Sequence, residues 1–257
     1  MLFYVPRVNP PKADGSLERI KTICFEPKRR FYIIINMVQT VFAFLDELRL
    51  ICVKHFFSAV KKQLPTEWEN GTKGNILLLP GFHQKWPFME LLGSALNHAG
   101  YRIYYCQNLR NHTCGVEPSA KIIEEFLKEN NLKDVVIVAH SKGGLIAKHL
   151  LHFSREKWRI RQVITLATPY KGSLLACCSP AAWEMRPGSP LIKKILNGEH
   201  GCEKIIAFYP KLDNMVVPNK NLIDPKLKSI QVDSIGHTRL LDDTRVINVI
   251  AKLITAS

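Results

Sequence analysis

The feature that most constrains the fold is the stretch Val135–Ala147, which reads VVIVA, then HSKGG, then LIA. Its first five residues are apolar and mostly β-branched, which is typical of a buried strand. The residues that follow, through Phe153, carry apolar side chains at helical spacing. Because almost no residues separate the two patterns, the chain must turn sharply, and the small residues Ala139 and Gly143 leave room for that turn. The stretch predicts a strand, a strained turn with Ser141 at its apex, and a helix.

The same alternation of strand and helix patterns continues on both sides of this turn. We predict strands at residues 75–79, 101–106, 135–139, 161–166, 205–209 and 227–232, and helices at 86–99, 118–130 and 243–255 as well as after the turn. Such alternation predicts a parallel sheet with right-handed crossovers. Ligands of these sheets bind beyond the carboxyl ends of the strands, where the polar residues discussed next are expected to lie.

Ser141 needs a base, because a serine hydroxyl becomes a good nucleophile only when its proton is removed. That base is usually a histidine oriented by a carboxylate. Among nine histidines, His237 is the best candidate, because it lies in the loop between the strand at 227–232 and the last helix; the alternative is an ordinary surface histidine. His140 is adjacent in sequence, but we expect its side chain to leave the turn in the other direction and to pack as a hydrogen-bonded neighbour.

Asp213 is the best candidate for the orienting carboxylate. It follows the strand at 205–209 and lies between the serine and the histidine in chain order. The alternative is a turn-forming aspartate, which the neighbouring Asn214 would accompany well. Asp224 and Asp233 are the competing carboxylates.

An acyl-transfer site also needs two donors for the oxyanion that forms on the carbonyl oxygen. We predict one donor in the backbone N–H of Lys142, the residue after the serine. The other is predicted in the N–H of Phe82, because the turn Pro80-Gly81 after the first strand allows the backbone a close approach.

Several segments taken together carry a family resemblance. They are LPGF at 79–82, AHSKGG at 139–144, TLATPYKGS at 165–173, DNMVVP at 213–218, GH at 236–237 and MRPGSPL at 185–191. With serine before aspartate before histidine along the chain, they are similar to motifs of the α/β-hydrolases, in particular of lipases and triacylglycerol-esterase-like enzymes, over residues 75–257. The chain departs from that pattern at Pro80, where the family often has histidine, at Lys142, where methionine or glutamine is usual, and at Tyr170, which replaces a histidine.

The resemblance implies an α/β-hydrolase fold and a serine hydrolase that cleaves carboxylic esters, chiefly of acyl lipids, with no cofactor and no metal. Residues 174–203 would form a small cap in which Trp183, Met185 and Leu191 line an acyl site; the alternative is that these residues only pack on the sheet. A thioesterase or acyltransferase would use the same three residues. A catalytically silent fold serving as a membrane-associated binding module is a third hypothesis.

Composition restricts the partners. The formal net charge of +14 comes from scattered basic residues without a nucleic-acid motif, so we expect a solvated surface or attraction to anionic lipid rather than nucleic acid. Seven cysteines without paired or metal-binding spacing favour a reducing, cytoplasmic compartment.

The N-terminal extension, residues 1–72, precedes the catalytic domain predicted at 73–257. An apolar stretch at 31–45 continues as a helical pattern to residue 60. Fifteen apolar residues are short for a bilayer span, which needs about 20. Three hypotheses follow: residues 31–60 pack on the domain, lie on a membrane surface, or span a membrane.

Overall fold

The computed structural model describes residues 38, 40–109 and 112–256. The chain divides into two units, Met1–Phe42 and Ala43–Ser257, of which the second is described almost completely. Most of the apolar stretch at 31–45 lies outside the described residues. The domain boundary predicted at residue 73 stays a prediction, as does the cap at 174–203.

Six strands form one sheet: β1 (Asn75–Leu79), β2 (Arg102–Tyr105), β3 (Val135–His140), β4 (Ile160–Leu166), β5 (Ile205–Leu212) and β6 (Lys228–Ile235). Their order is β2-β1-β3-β4-β5-β6, and every neighbouring pair is parallel. The predicted parallel sheet is confirmed. Because β1 and β3 are neighbours, the turns that follow them, with Phe82 and Ser141, meet at one edge of the sheet.

The described residues include six α-helices: α1 (residues 40–60), α2 (Glu90–His98), α3 (Val116–Glu129), α4 (Lys142–Phe153), α5 (Pro190–Asn197) and α6 (Thr244–Ala256). Short 3₁₀ helices cover Thr66–Asn70, Trp86–Met89, Gln107–Leu109, Lys157–Arg159, Leu174–Cys178, Pro180–Met185, Cys202–Lys204, Asn219–Leu222 and Arg239–Leu241.

The ends of most predicted elements differ from the observed ones by one to three residues, and two elements show a further irregularity. The helix predicted at 86–99 begins as a 3₁₀ turn, Trp86–Met89, and continues as α2; such turns are frequent at the N-termini of α-helices. The strand predicted at 205–209 extends to Leu212, past Pro210, and its register against β6 shifts between these two residues. That irregularity is expected where a proline interrupts the ladder.

The core has two halves, one on each face of the sheet. Successive residues of β1, such as Leu77 and Leu78, point to opposite faces of the sheet and enter different halves of the core. Helices α3, α4 and α5 supply side chains to the first half, and α2 and α6 supply the second. Every residue of β3 is buried, as its continuous apolar run predicts. The turn that carries Ser141 is thus anchored in the most buried strand of the described chain.

Helix α1, considered from Ala43 onward, buries polar side chains and exposes apolar ones. Glu47, Lys54 and Ser58 are buried, whereas Leu48 and Phe56 are more than half exposed. Lys54 Nζ donates to the Phe88 carbonyl at 2.9 Å and pairs with Asp242 at 2.8 Å. Within the described residues, none of the helices combines the length and the apolar character that a bilayer crossing requires.

Candidate active site

Ser141 occupies the predicted sharp turn between β3 and α4. Its backbone has φ +52° and ψ −119°, a region that a non-glycine residue adopts only under strain. The Ser141 N–H donates to the Leu166 carbonyl of β4 at 2.8 Å, and its own carbonyl accepts from the N–H of Gly144 at 3.0 Å. A Cβ on Gly143 would lie 2.1 Å from the Leu79 carbonyl oxygen, so only glycine fits there. These contacts present the hydroxyl at the carboxyl end of the sheet.

His237 and Asp213 meet although 24 residues separate them. The His237 Nδ1 lies 2.8 Å from Asp213 Oδ2, and both side chains are buried. The other oxygen of Asp213, Oδ1, accepts from the N–H groups of Met215 at 2.7 Å and Val216 at 2.8 Å. These two amides fix the carboxylate, so that its free oxygen points at the imidazole. The structure therefore brings together the two residues that the chain order suggested.

Two carboxylates act on the imidazole. Burial by itself lowers the pKa of His237, but the charge and hydrogen bond of Asp213 and the charge of Glu47 outweigh it, and the net effect raises the pKa above its ordinary value. An imidazole with a raised pKa is a stronger base for a nearby hydroxyl. Glu47 was not among the residues that the sequence singled out.

The competing residues have other partners. His140 is fully buried, with Nδ1 2.8 Å from Gln84 Oε1 and Nε2 3.1 Å from the His237 carbonyl oxygen. It is therefore a packed, hydrogen-bonded neighbour, as expected; burial and the charge of His237 hold its pKa well below the ordinary range. Asp224 forms a buried ion pair with Lys148. Asp233 is exposed and lies near Lys211.

One cavity of about 230 Å³ contains both Ser141 and His237 in its wall. The rest of the wall is mainly apolar and includes Ile51, Phe82, Phe88, Leu175, Met185 and Val216. Such a site, apolar with a few convergent polar groups, suits a ligand with a hydrocarbon part.

The two residues predicted to supply the oxyanion donors lie near the serine, while their role stays a prediction. Phe82 lines the cavity, and Lys142 is the first residue of α4, where backbone N–H groups have no partner within the helix. Gln84 closes the turn after β1, because its Oε1 accepts a hydrogen bond from the Gly81 N–H at 2.8 Å. Gln84 thus joins the turn after β1 to His140, a role that sequence reasoning missed; the only signal was a polar residue placed just after a Pro-Gly turn.

The three residues predicted to line an acyl site in the cap lie at two different places. Met185 is buried and lines the cavity with Ser141. Trp183 and Leu191 instead line a different surface depression, next to Glu184. Sequence reasoning also missed Ile51 of α1 as a wall of the cavity.

The side chain of Lys142 is not part of the described cavity wall. It is fully buried, and its Nζ lies 3.0 Å from Glu184 Oε1 and donates to the Cys114 carbonyl at 2.5 Å. Glu184 also accepts from the N–H of Val116 at the start of α3. The positive charge beside the serine is therefore compensated by the 180–185 segment. Burial and, to a smaller extent, the charge of Lys142 lower the pKa of the nearby His112 to about 3.

Comparison with known proteins gives a partial family match. Residues 98–177 match the model of the PGAP1-like alpha/beta domain. The chain is 30% identical over 83 residues to lecithin-cholesterol acyltransferase-like 1 of Arabidopsis thaliana, which is 31% of this chain and 19% of that protein. It is 22% identical over 160 residues to the GPI inositol-deacylase of Candida albicans, 62% of this chain and 36% of that protein. The chain thus spans a minor part of these curated relatives.

Among solved structures, Aspergillus fumigatus lipase B superposes with a TM-score of 0.59 at 12% identity, over 75% of this chain and 55% of that one. Together with the six-stranded parallel sheet, this similarity gives the chain an α/β-hydrolase fold. The family match includes Ser141 but ends before Asp213 and His237. The contacts of the last two residues therefore come from the structure of this chain alone.

Proposed function

We propose that this chain is a serine hydrolase that cleaves carboxylic esters of acyl lipids. One observation carries the proposal: a strained serine and an aspartate-bound histidine lie in the wall of the same apolar cavity. The relatives support it, because their names, an acyltransferase-like protein and a deacylase, both refer to acyl groups. The three residues then have the roles that acyl transfer requires.

In this mechanism the Ser141 Oγ attacks the acyl carbon while His237 takes the hydroxyl proton. Asp213 holds the imidazole in orientation and stabilises the imidazolium that forms. The backbone N–H groups of Phe82 and Lys142 stabilise the oxyanion. His237 returns the proton to the leaving alkoxide, and a free alcohol departs from an acyl-enzyme. Water, deprotonated by His237, then attacks the acyl carbon, and the acid and the free Ser141 hydroxyl are released.

The test is labelling with a fluorescent fluorophosphonate, which reacts with activated serines, with the wild type beside Ser141→Ala. We expect labelling of the wild type and none of the variant. Circular dichroism and unfolding midpoints must match, so that absence of labelling is not a folding defect. A folded wild type that does not label would contradict the proposal and favour the silent binding module. Labelling that survives in Ser141→Ala would contradict the assignment of the nucleophile.

A second candidate is acyl transfer to an acceptor other than water. The observation that favours it is the similarity to a protein named as acyltransferase-like, since the first half-reaction would be identical. The ratio of acid to new ester, measured on one acyl donor with and without added alcohol, separates the two. A product ratio unchanged by alcohol indicates a hydrolase; predominant transfer indicates an acyltransferase.

We also propose that the protein works at a lipid surface. The net charge of +14 and the exposed apolar side chains of α1, with Phe56 65% and Val60 61% exposed, support this proposal. Co-sedimentation with anionic and with neutral vesicles tests it. Binding to neither kind of vesicle would contradict the proposal.

A further inference from the structure

The loop that carries His237 is held by a carboxylate from a distant helix. Glu47 of α1 is completely buried, and its Oε1 and Oε2 accept from the backbone N–H groups of Thr238 and Arg239, the two residues after His237. Its contact extends to the residue before His237 as well: a Cβ on Gly236, which has φ +116°, would lie 2.4 Å from Glu47 Oε2. Glu47 therefore packs against the loop on both sides of the imidazole.

Two other contacts hold the backbone of His237, and both come from polar groups beside the site. Its N–H donates to Asn214 Oδ1 at 3.0 Å, and its carbonyl oxygen lies 3.1 Å from His140 Nε2. Neither of these contacts reaches the residues that follow His237. Because a buried amide without a hydrogen-bond partner is unfavourable, Glu47 stabilises the backbone conformation of residues 238–239.

Helix α1 presents Glu47 as part of one continuous face. Glu47, Ile51 and His55 are spaced four residues apart, so they lie on the same side of the helix. Ile51 and His55 line the cavity that contains Ser141 and His237, and Thr238 lines it as well. The helix thus builds a wall of the cavity and fixes the loop of the base with the same face.

We propose that Glu47 is a positioning residue of the active site, which holds the loop of His237 so that the imidazole faces Ser141 and which keeps a second negative charge beside that imidazole. The proposal rests on the proposed function, since it assumes that His237 acts as the base. It gives α1 a role in the chemistry in addition to packing.

Electrostatics add a signature that packing alone would not produce. The titratable groups facing His237 are Asp213 after β5, His140 of β3, and Glu47 and His55 of α1. Burial lowers the pKa of His237, and the charges of Asp213 and Glu47 raise it to a greater extent. Since the base must be neutral to accept a proton, a higher pKa places the acidic limb of the rate profile at higher pH. Removal of the charge of Glu47 should move that limb to lower pH.

The experiment measures the second-order rate constant of fluorophosphonate inactivation against pH, and the unfolding midpoint, for the full chain. The variants are Glu47→Gln, which keeps the shape but loses the charge, and Glu47→Ala. The matched control is Asp46→Asn, on the same turn of α1, because the hydrogen bonds that the structure gives Asp46 are to the exposed side chains of Arg49 and Arg239 and not to the backbone of the loop.

We expect the plateau rate of Glu47→Ala to fall about 100-fold, the loss typical of a misplaced catalytic group. Glu47→Gln should lose about tenfold, because its amide nitrogen faces one of the two backbone donors, and its acidic limb should move to lower pH. Asp46→Asn should match the wild type in both respects.

The possible failures are distinguishable. A wild type that is not inactivated contradicts the proposed function itself. Inactivation of the wild type together with a Glu47→Gln variant that matches Asp46→Asn in rate and acidic limb overturns only the role of Glu47. A lower unfolding midpoint with an unmoved limb also overturns it, because the residue would then be merely structural.

Discussion

The Ser141 turn and the His237 loop face the same cavity but are held in different ways. The turn is fixed by its own strand and helix and by the neighbouring strands β1 and β4. The loop has one backbone hydrogen bond to β5, from the N–H of Gly236 to the Leu212 carbonyl, and is otherwise fixed by side chains. These side chains are Asp213 and Asn214 after β5, His140 of β3 and Glu47 of α1. The nucleophile thus depends on backbone geometry that few substitutions can alter. The base depends on polar side chains that single substitutions remove.

This difference predicts different consequences of mutation in the two regions. Changes in the turn should act first on the stability of the fold, because buried backbone atoms have no room to move. Changes around the loop should act first on the rate and its pH dependence, because the imidazole loses orientation while the core is left intact.

The largest effect is expected at the carboxylate that holds the imidazole. Asp213→Asn should lower kcat on a p-nitrophenyl acyl ester by about 10⁴-fold, because the imidazole loses its orienting and charge-stabilising partner. The control is Asp233→Asn, four residues before His237 in sequence but exposed and near Lys211. It should leave kcat unchanged. Similar losses in both variants would show that the geometry of Asp213 does not decide the rate.

The next effect tests the turn. Gly143→Ala should reduce the free energy of unfolding by about 3 kcal/mol, since the added methyl would meet the Leu79 carbonyl oxygen at 2.1 Å. Gly188→Ala is the control, because its Cβ would enter open space and only its φ of +75° adds cost, about 1 kcal/mol. Urea unfolding measures both. Equal losses would mean that the turn is less constrained than the contact implies.

A smaller effect separates the packing of α1 from the role of Glu47. Lys54→Met should cost about 2 kcal/mol, because it removes a nearly buried ion pair with Asp242 and a hydrogen bond to Phe88. Lys61→Met, which breaks a half-exposed pair with Glu90, should cost less than about 1 kcal/mol. Neither variant should move the acidic limb of the rate profile. A shift in the Lys54 variant alone would show that the packing of the whole helix α1, and not Glu47 in particular, sets the pKa of His237.

The smallest effect is a displacement of the wild-type pH profile. Because the pKa of His237 is raised, the acidic limb of kcat/KM should lie at higher pH than that of an ordinary histidine, and activity should fall as pH decreases through that pKa. Rates from pH 5 to 9 on a neutral ester measure it. A limb below the ordinary range would indicate that burial, rather than the two carboxylates, dominates at His237.

Much of the fold could be predicted because the pattern that forms it is local. Strand β3 and helix α4 follow directly from an apolar run and a helical period, and the parallel order follows from their alternation. The candidates Ser141, Asp213 and His237 could be located in the same way, because each of them follows a predicted strand. The contact between the last two required only that both follow neighbouring strands.

The sequence could not predict which groups surround these residues. The position of Lys142 next to Ser141 predicted a positive charge at the site. Its ammonium group instead binds Glu184 and the Cys114 carbonyl, outside the described cavity wall. Trp183 and Leu191 were expected to line an acyl site in the cap, and the structure places them at a different depression from the one that contains Ser141. A residue type gives a side chain its chemistry, but a loop without periodicity gives no direction for it.

The sequence by itself determined the parallel sheet, the strained turn of Ser141 and the candidates for base and carboxylate, because strand and helix periods and tight turns are set by residues close together in the chain. Only the tertiary structure decided that Glu47 reaches residues 238–239, 191 positions away, and that α1 closes the cavity with Ile51. Such contacts depend on how whole elements pack against one another, and no local pattern records that packing.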